Sequence, residues 1–115
     1  LNAGAKVILV SPSLTTRLKI LVQKGKVTYI KSRYKPRFLN GIFLVIAASD
    51  DISVNTAVHS DSIKANILIN CVDSLSRSNF IVPAVLRRKD IIIAVSTCGK
   101  VPALAKKIKD DLKKT

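Results

Sequence analysis

Asp73 ends a strongly apolar stretch, Ile67-Leu68-Ile69-Asn70-Cys71-Val72, and opens a polar one, Ser74 to Asn79, with no helix behind it to cap. A carboxylate so placed can accept a proton or hold a metal ion on its way into a ligand. Two other segments put small and polar residues directly behind apolar runs: Ser11-Pro12-Ser13 and Ala48-Ser49-Asp50-Asp51. Small residues let a ligand approach the backbone, and hydroxyl, amide or carboxylate groups orient it. Each segment also has a structural use: Ser13 can cap a helix, one of Asp50 and Asp51 can be an N-cap, and Asn70 can satisfy backbone groups in a turn. A fourth segment, Ser96-Thr97-Cys98-Gly99-Lys100-Val101-Pro102, leads into a helix at Pro102, where a missing N–H costs nothing. Its turn offers backbone donors and a positive dipole end to an anion. Cys98 has no histidine close in sequence, and the single His59 falls in another element, so a Cys–His nucleophile is not expected. Two thiols and one imidazole without ligand spacing do not make a zinc site.

The elements that must position these groups alternate. Lys6 to Val10 is a short apolar run followed by turn residues, the pattern of a buried strand. Leu14, Leu18, Leu21 and Val22 recur at helical spacing, and Gly25 closes that helix. Val27 to Lys31 alternates as a strand, and Pro36 to Asn40 is a turn or short helical piece ending at Gly41. Ile42 to Ala48 is the most apolar segment, expected as a central strand buried on both faces. Asp50 or Asp51 then starts a helix to about Ala65, with Ile52, Asn55, Val58 and Ser62 along one side, and Ile67 to Asn70 is a further buried strand. Strand and helix in this rhythm predict an α/β, Rossmann-like, mostly parallel sheet with helices on both faces. In such a sheet ligands bind beyond the carboxyl ends of the strands, where the first three segments fall. The final third departs from the rhythm. Phe80 to Leu86 and Ile91 to Val95 read as a β-hairpin around Arg87-Arg88-Lys89-Asp90, and Pro102 to Lys114 as an amphipathic helix with Leu104, Ile108 and Leu112 inward. Two regions are therefore expected: the alternating strands and helices over 1–78, then the hairpin and last helix over 79–115.

Composition bounds the alternatives. With 115 residues the chain has room for one small domain, and with 48% hydrophobic residues it folds. No apolar run reaches the roughly 18–20 residues of a membrane span. Cys71 and Cys98 are expected as free thiols in a reducing compartment, and a cytoplasmic setting follows. Lys and Arg total 20 against 7 acidic residues, all Asp, for a net charge of +13. So positive a surface suits an anionic partner, although a Lys-, Ile- and Asn-rich composition accounts for it equally well. Only Tyr34 and Phe38 lie among the basic clusters, so no stacking platform for nucleic acid is evident, and no helix-turn-helix or zinc-finger pattern occurs.

The same segments, in this order, resemble the precorrin-2 dehydrogenase family, the N-terminal domain of sirohaem synthase. The resemblance is carried by Ala3-Gly4-Ala5 with Ser11-Pro12, Arg33-Tyr34, Leu44 to Asp51 with Val54-Asn55, Asn70-Cys71-Val72-Asp73, Phe80 to Ala84, Ile93 to Thr97, and Pro102 to Ala105. It implies NAD-dependent oxidation of precorrin-2 to sirohydrochlorin and, in bifunctional members, ferrochelation with Fe2+. It makes Asp73 the catalytic aspartate, serving proton removal and transient metal contact. Pro12, Ser13, Ala48, Ser49 and Asp50 become NAD contacts, and Asn70, Ser96 and Thr97 neighbours of the tetrapyrrole. The hairpin becomes the builder of a homodimer. The family's glycine-rich phosphate loop and first strand would precede Leu1, so the sequence as it stands is expected to be a fragment or reduced version that binds NAD weakly. The loop after Thr97, usually Gly-Gly and then Ser-Pro, here reads Cys98-Gly99 and Val101-Pro102. The helical extension usual in the family would follow Thr115. The competing reading is a non-catalytic Rossmann-like module for dimerisation or anion binding.

Overall fold

A computed structural model describes residues 1–114. The chain divides into two compact units, Leu1–Asn40 and Gly41 onward. In the first, strand β1 (Ile8–Ser11) pairs in parallel with β2 (Thr28–Lys31), and helix α1 (Thr16–Gln23) is the crossover between them. Thr15, not Ser13, caps α1: its Oγ1 accepts from the Leu18 N–H at 3.3 Å. Ser13 instead closes a turn with Ser11, whose Oγ donates to the Ser13 carbonyl at 2.6 Å. α1 stops because Gly25 takes the left-handed conformation (φ 68°), letting Lys26 N–H reach the Leu21 carbonyl and Gly25 N–H the Val22 carbonyl. β1 is only half-covered, with Ile8 41% exposed, and is not the buried strand expected. A 3-10 turn over Pro36–Leu39 completes the unit.

The second unit repeats the motif. β3 (Leu44–Ala47) pairs in parallel with β4 (Leu68–Cys71) in the register Leu44↔Leu68 to Ala47↔Cys71, and α2 (Ile52–Lys64) crosses between them. Asp51 is the N-cap, its Oδ1 accepting from the Ser53 N–H at 2.8 Å. At the other end Asn66 (φ 55°) does what Gly25 does for α1, with Ile67 N–H bonding the Ser62 carbonyl. α2 turns Asn55, Val58 and Ser62 inward, while Ile52 is exposed. The buried centre is Ile69, Asn55 and Ser62. Burial of β3 on both faces is not observed. Ala47 and Cys71 share the face that α2 covers, whereas Leu44 and Ile46 on the other face are 39% and 53% exposed.

β5 (Ala84–Arg88) and β6 (Ile91–Val95) form the antiparallel hairpin, and α3 (Pro102–Lys113) packs on both. The turn is tighter than expected: Arg87 and Arg88 belong to β5, and Lys89-Asp90 alone connect the strands, with Lys89 left-handed at φ 48°. The stretch from Phe80 to Pro83 is not strand, since Pro83 has no N–H for a ladder and the Asn70 side chain already takes up the Phe80 carbonyl. α3 buries Ala105, but Leu104, Ile108 and Leu112 are 46%, 38% and 38% exposed rather than inward. Parallel pairs with helical crossovers make the fold α/β. Among the described residues the parallel strands, expected as one sheet, form two separate pairs, β1-β2 and β3-β4, and the hairpin β5-β6 forms a third two-stranded sheet of its own, as expected.

Candidate active site

The register of β3 and β4 sets the geometry. Because Ala47 lies opposite Cys71, and Val72 N–H donates to the Ala47 carbonyl at 3.1 Å, the loops leaving these strands start side by side. One carries Ala48, Ser49 and Asp50; the other carries Asp73. Both lie at the carboxyl end of parallel strands, the place where an α/β sheet receives ligands.

The β3–α2 loop is fixed by Asn55. This side chain is 1% exposed, and both halves of its amide hold Ser49: Oδ1 accepts from the Ser49 N–H at 3.1 Å, and Nδ2 donates to the Ser49 carbonyl at 2.8 Å. The Ser49 hydroxyl in turn accepts from the Asp51 N–H at 3.1 Å. An exposed Ala48 with no bulk beyond Cβ, beside a backbone held this firmly, fits close approach by a dinucleotide. Asp50 is exposed next to it.

The loop after β4 is built from side chains standing in for a strand. Asn79 Oδ1 accepts from the Ile69 N–H at 2.7 Å, and Asn79 N–H donates to the Ile69 carbonyl at 2.9 Å. Ser78 Oγ accepts from the Cys71 N–H at 2.9 Å and donates to the Ser74 carbonyl at 2.9 Å. Asn70 donates from Nδ2 to the Phe80 carbonyl at 3.0 Å, so its amide nitrogen has a structural task. Asp73 projects from this framework with its side chain 28% exposed and meets Arg77, whose Nη2 lies 3.3 Å from Oδ2. Cys71, 3% exposed, is a thiol held in reserve by its surroundings: burial pushes its pKa up, the Asp73 carboxylate adds to that, and Arg77 offsets part of it. Both cysteines are unpaired.

The turn before α3 lies against the same loop. Gly99 approaches Leu75 so closely that a Cβ there would stand 2.5 Å from Leu75 Cδ1 and 3.3 Å from Ile81 Cδ1. Ser96 and Thr97 are thus carried next to the Asp73 loop. Their hydroxyls brace the turn, Ser96 Oγ accepting from the Cys98 N–H at 3.1 Å and Thr97 Oγ1 from the Val101 N–H at 3.0 Å. Asp73, Asn70, Ala48, Ser49, Asp50, Ser96 and Thr97 all belong to the second unit. Pro12 and Ser13 belong to the first, exposed at the carboxyl end of β1, where Tyr29 Oη donates to the Ser11 carbonyl at 2.8 Å. Arg77, Thr56, Asn79 and Leu75 carry no signal in the sequence, because each acts through partners distant in the chain. No group of three or more His, Cys, Asp or Glu able to hold a metal ion occurs among the described residues.

The profile of a putative NAD(P)-binding family matches residues 1–84. The chain belongs to that family. It is similar to the siroheme synthase of Photorhabdus laumondii, at 39% identity over 112 residues, 97% of this chain and 24% of that one. It is similar to that of Tolumonas auensis at 43% identity, again over 97% of this chain and 24% of the relative. Among solved structures it matches SirC, precorrin-2 dehydrogenase, with a TM-score of 0.79 and 28% identity, over 98% of this chain and 55% of that one. The chain therefore spans about a quarter of the length of the siroheme synthases it matches and just over half of SirC.

Proposed function

We propose that this chain is the dehydrogenase part of a sirohaem-forming enzyme, oxidising precorrin-2 to sirohydrochlorin with NAD. The observation that carries the reading is the placement of Asp73: a carboxylate at the carboxyl end of β4, beside the β3–α2 loop, in a member of an NAD(P)-binding family. Aromatising a reduced macrocycle removes one hydride and one proton. NAD, when bound, supplies the hydride acceptor. Asp73 supplies the base: its carboxylate takes the proton from the substrate carbon framework and later releases it to solvent. Ala48, Ser49 and Asp50 are the residues of the second unit that contact NAD. Ser96 and Thr97, with Asn70, flank the tetrapyrrole. On this reading 1–78 is the cofactor-binding part and 79–115 the part that completes the substrate site and the dimer. The net charge of +13 draws in a polycarboxylate such as precorrin-2, so kcat/KM falls as salt is added. Where the protein also inserts Fe2+, the same aspartate makes the transient metal contact.

The homodimer forms through the hairpin. Ile91 and Ile92 are 62% and 59% exposed, and as neighbours on one strand they lie on opposite faces of the ribbon. A lone two-stranded ribbon is marginal in water, so a second copy covering these isoleucines stabilises it. Sedimentation of Ile92→Lys against the parent protein checks this: the parent sediments as a dimer and the variant as a monomer. A cytoplasmic setting accords with this reading, and among the described residues no helix is long and apolar enough to cross a membrane.

The deciding experiment is anaerobic: NADH formation from precorrin-2 by the full-length protein and by Asp73→Ala. The base accounts for about 10²–10⁴-fold in rate. Loss of that size with the dimer intact supports the assignment. A parent protein that binds NAD or the tetrapyrrole without turnover makes this a non-catalytic anion-binding and dimerisation module instead.

A further inference from the structure

We propose that Arg77 is a positioning residue that holds the Asp73 carboxylate in its reactive orientation by tying it to helix α2. The inference rests on the reading of Asp73 as the base. Arg77 stands four residues after Asp73, but the segment between them is loop and not helix, so their contact is not the routine consequence of helical spacing. The guanidinium is used at both ends. Nη2 donates to Asp73 Oδ2 at 3.3 Å, and Nη1 donates to Thr56 Oγ1 at 3.2 Å. Thr56 Oγ1 is itself anchored, donating to the Ile52 carbonyl one turn earlier in α2 at 2.8 Å. The backbone of Arg77 is held to the same helix, its carbonyl 3.0 Å from His59 Nδ1. A continuous chain of contacts thus runs from the Ile52 carbonyl through Thr56 and Arg77 to Asp73.

Stability alone is a poor reason for this arrangement. Partly exposed ion pairs contribute about 0–1 kcal/mol. Against that stands Arg77 Nε, which is buried without a partner and so forfeits a solvent hydrogen bond. A planar guanidinium with two fixed donors is suited to orienting a carboxylate. The carboxylate needs orienting, because Asp73 sits on a turn with no helix or strand of its own to set its side chain. A base displaced by about 1 Å from its proton loses about 10²-fold in rate. Arg77 engages Oδ2, and Oδ1 then receives the proton.

Kinetics on the full-length protein test the proposal through five variants. Arg77→Ala is expected to lower kcat about 10–100-fold with KM for precorrin-2 within about twofold, because the group acts on the base and not on binding. Millimolar guanidinium restores part of that kcat. Thr56→Val, which leaves Asp73 and Arg77 in place and keeps side-chain shape, lowers kcat about 3–10-fold by freeing the far end of the tie. Because two residues acting as a unit are not additive, Asp73→Asn with Arg77→Ala is no slower than Asp73→Asn alone. If circular dichroism shows Arg77→Ala unfolded, Thr56→Val and Arg77→Lys carry the test, with Lys expected to recover only part of the rate. Unchanged kcat in Arg77→Ala or Thr56→Val, with Asp73→Asn inactive, overturns the positioning role and leaves Asp73 as the base. A raised KM with unchanged kcat, or losses that multiply in the double variant, overturns it in favour of a direct contact between Arg77 and a substrate carboxylate. Full activity in Asp73→Asn overturns the assignment of the base and this inference with it.

Discussion

Asn55 offers the sharpest test of how the candidate site is held together. The residue is 1% exposed, and its amide is matched to Ser49 on both sides, accepting at 3.1 Å and donating at 2.8 Å. Asn55→Ala leaves one N–H and one C=O in a half-buried loop without partners, each worth about 1–3 kcal/mol. The expected loss is therefore about 2–6 kcal/mol, near the lower end where water enters the space vacated. For a chain of this size each kcal/mol shifts Tm by about 4–8 °C, so a fall upwards of about 8 °C follows. Asn55→Asp is not a rescue. It keeps the acceptor for Ser49 N–H but sets a second carboxylate oxygen against the Ser49 carbonyl, so its stability falls at least to that of the alanine variant. Urea unfolding with m compared between variants gives the free energies. Hydrogen exchange at the Ser49 amide shows whether the loop has been released. A loss below about 1 kcal/mol, or a Ser49 amide as protected in Asn55→Ala as in the parent, would refute the reasoning that this side chain fixes the loop.

Gly99→Ala meets both a left-handed backbone (φ 74°) and Leu75 Cδ1 at 2.5 Å; since Leu75 is half-exposed and can swing aside, the cost is about 2 kcal/mol by thermal unfolding, and Leu75→Ala in the same chain recovers the steric part. Cys98 is exposed and Cys71 buried, so one thiol per chain reacts quickly with a soluble alkylating reagent and the second only after unfolding, as mass spectrometry of the time course checks. The Cys71 pKa is raised in the folded state, so the folded protein holds that proton more tightly: its contribution to stability is complete below the free-thiol pKa of about 8.5 and is lost as pH rises through the folded value. The alkaline slope of stability against pH is accordingly shallower in Cys71→Ala. Tyr29→Phe removes the 2.8 Å bond to the Ser11 carbonyl and lowers stability by about 1 kcal/mol in urea, with no effect on the second unit's exchange pattern.

Local chemistry was legible in the sequence, and long-range chemistry was not. An N-cap at Asp50 or Asp51, which the structure gives to Asp51, and Gly25 as helix terminator depend on residues within a few positions of one another, and the strand–helix–strand repeats on the periodicity inside each element; the structure has them. Ser13 reads as a possible helix cap, but the cap of α1 is Thr15, because the helix starts two residues later than the apolar spacing alone can place it. Burial was overestimated for Ile46, Ile8 and Leu104, since apolar periodicity states which face wants cover but not whether cover exists. Asp73 stood out because a carboxylate behind an apolar strand is unusual. Arg77 did not, because Thr56 lies 21 residues away and nothing in either residue type announces the contact. Asn70 and Ser96 were singled out as ligand groups, and each turns out to hold a turn as well, which a polar side chain in a loop generally must.

The presentation of Asp73 follows from how β4 is finished. A parallel strand paired on one side with β3 leaves a second edge of unpaired N–H and C=O groups, which would recruit another strand. The chain closes that edge itself by returning along it after Asp73, but the return is not a strand. Asn79 and Ser78 supply side-chain oxygens to the Ile69 and Cys71 N–H groups, and Asn79 Nδ2 donates to the Ile67 carbonyl at 3.2 Å. A regular strand would have turned alternate side chains away and run on in a straight line; side-chain mimicry lets the chain reverse within the few residues from Val72 to Ser78. Asp73 therefore stands at the apex of a tight, hydrogen-bonded reversal, with Cys71 fixed on one side and Arg77 on the other. The opposing turn from Ser96 to Val101 is tied by two hydroxyl bonds, by the Lys100 N–H to the Thr97 carbonyl at 3.1 Å, and by the Gly99–Leu75 contact. On the proposed reading of Asp73 as the base, the ties around this reversal are what keep its carboxylate in place while substrate enters and leaves.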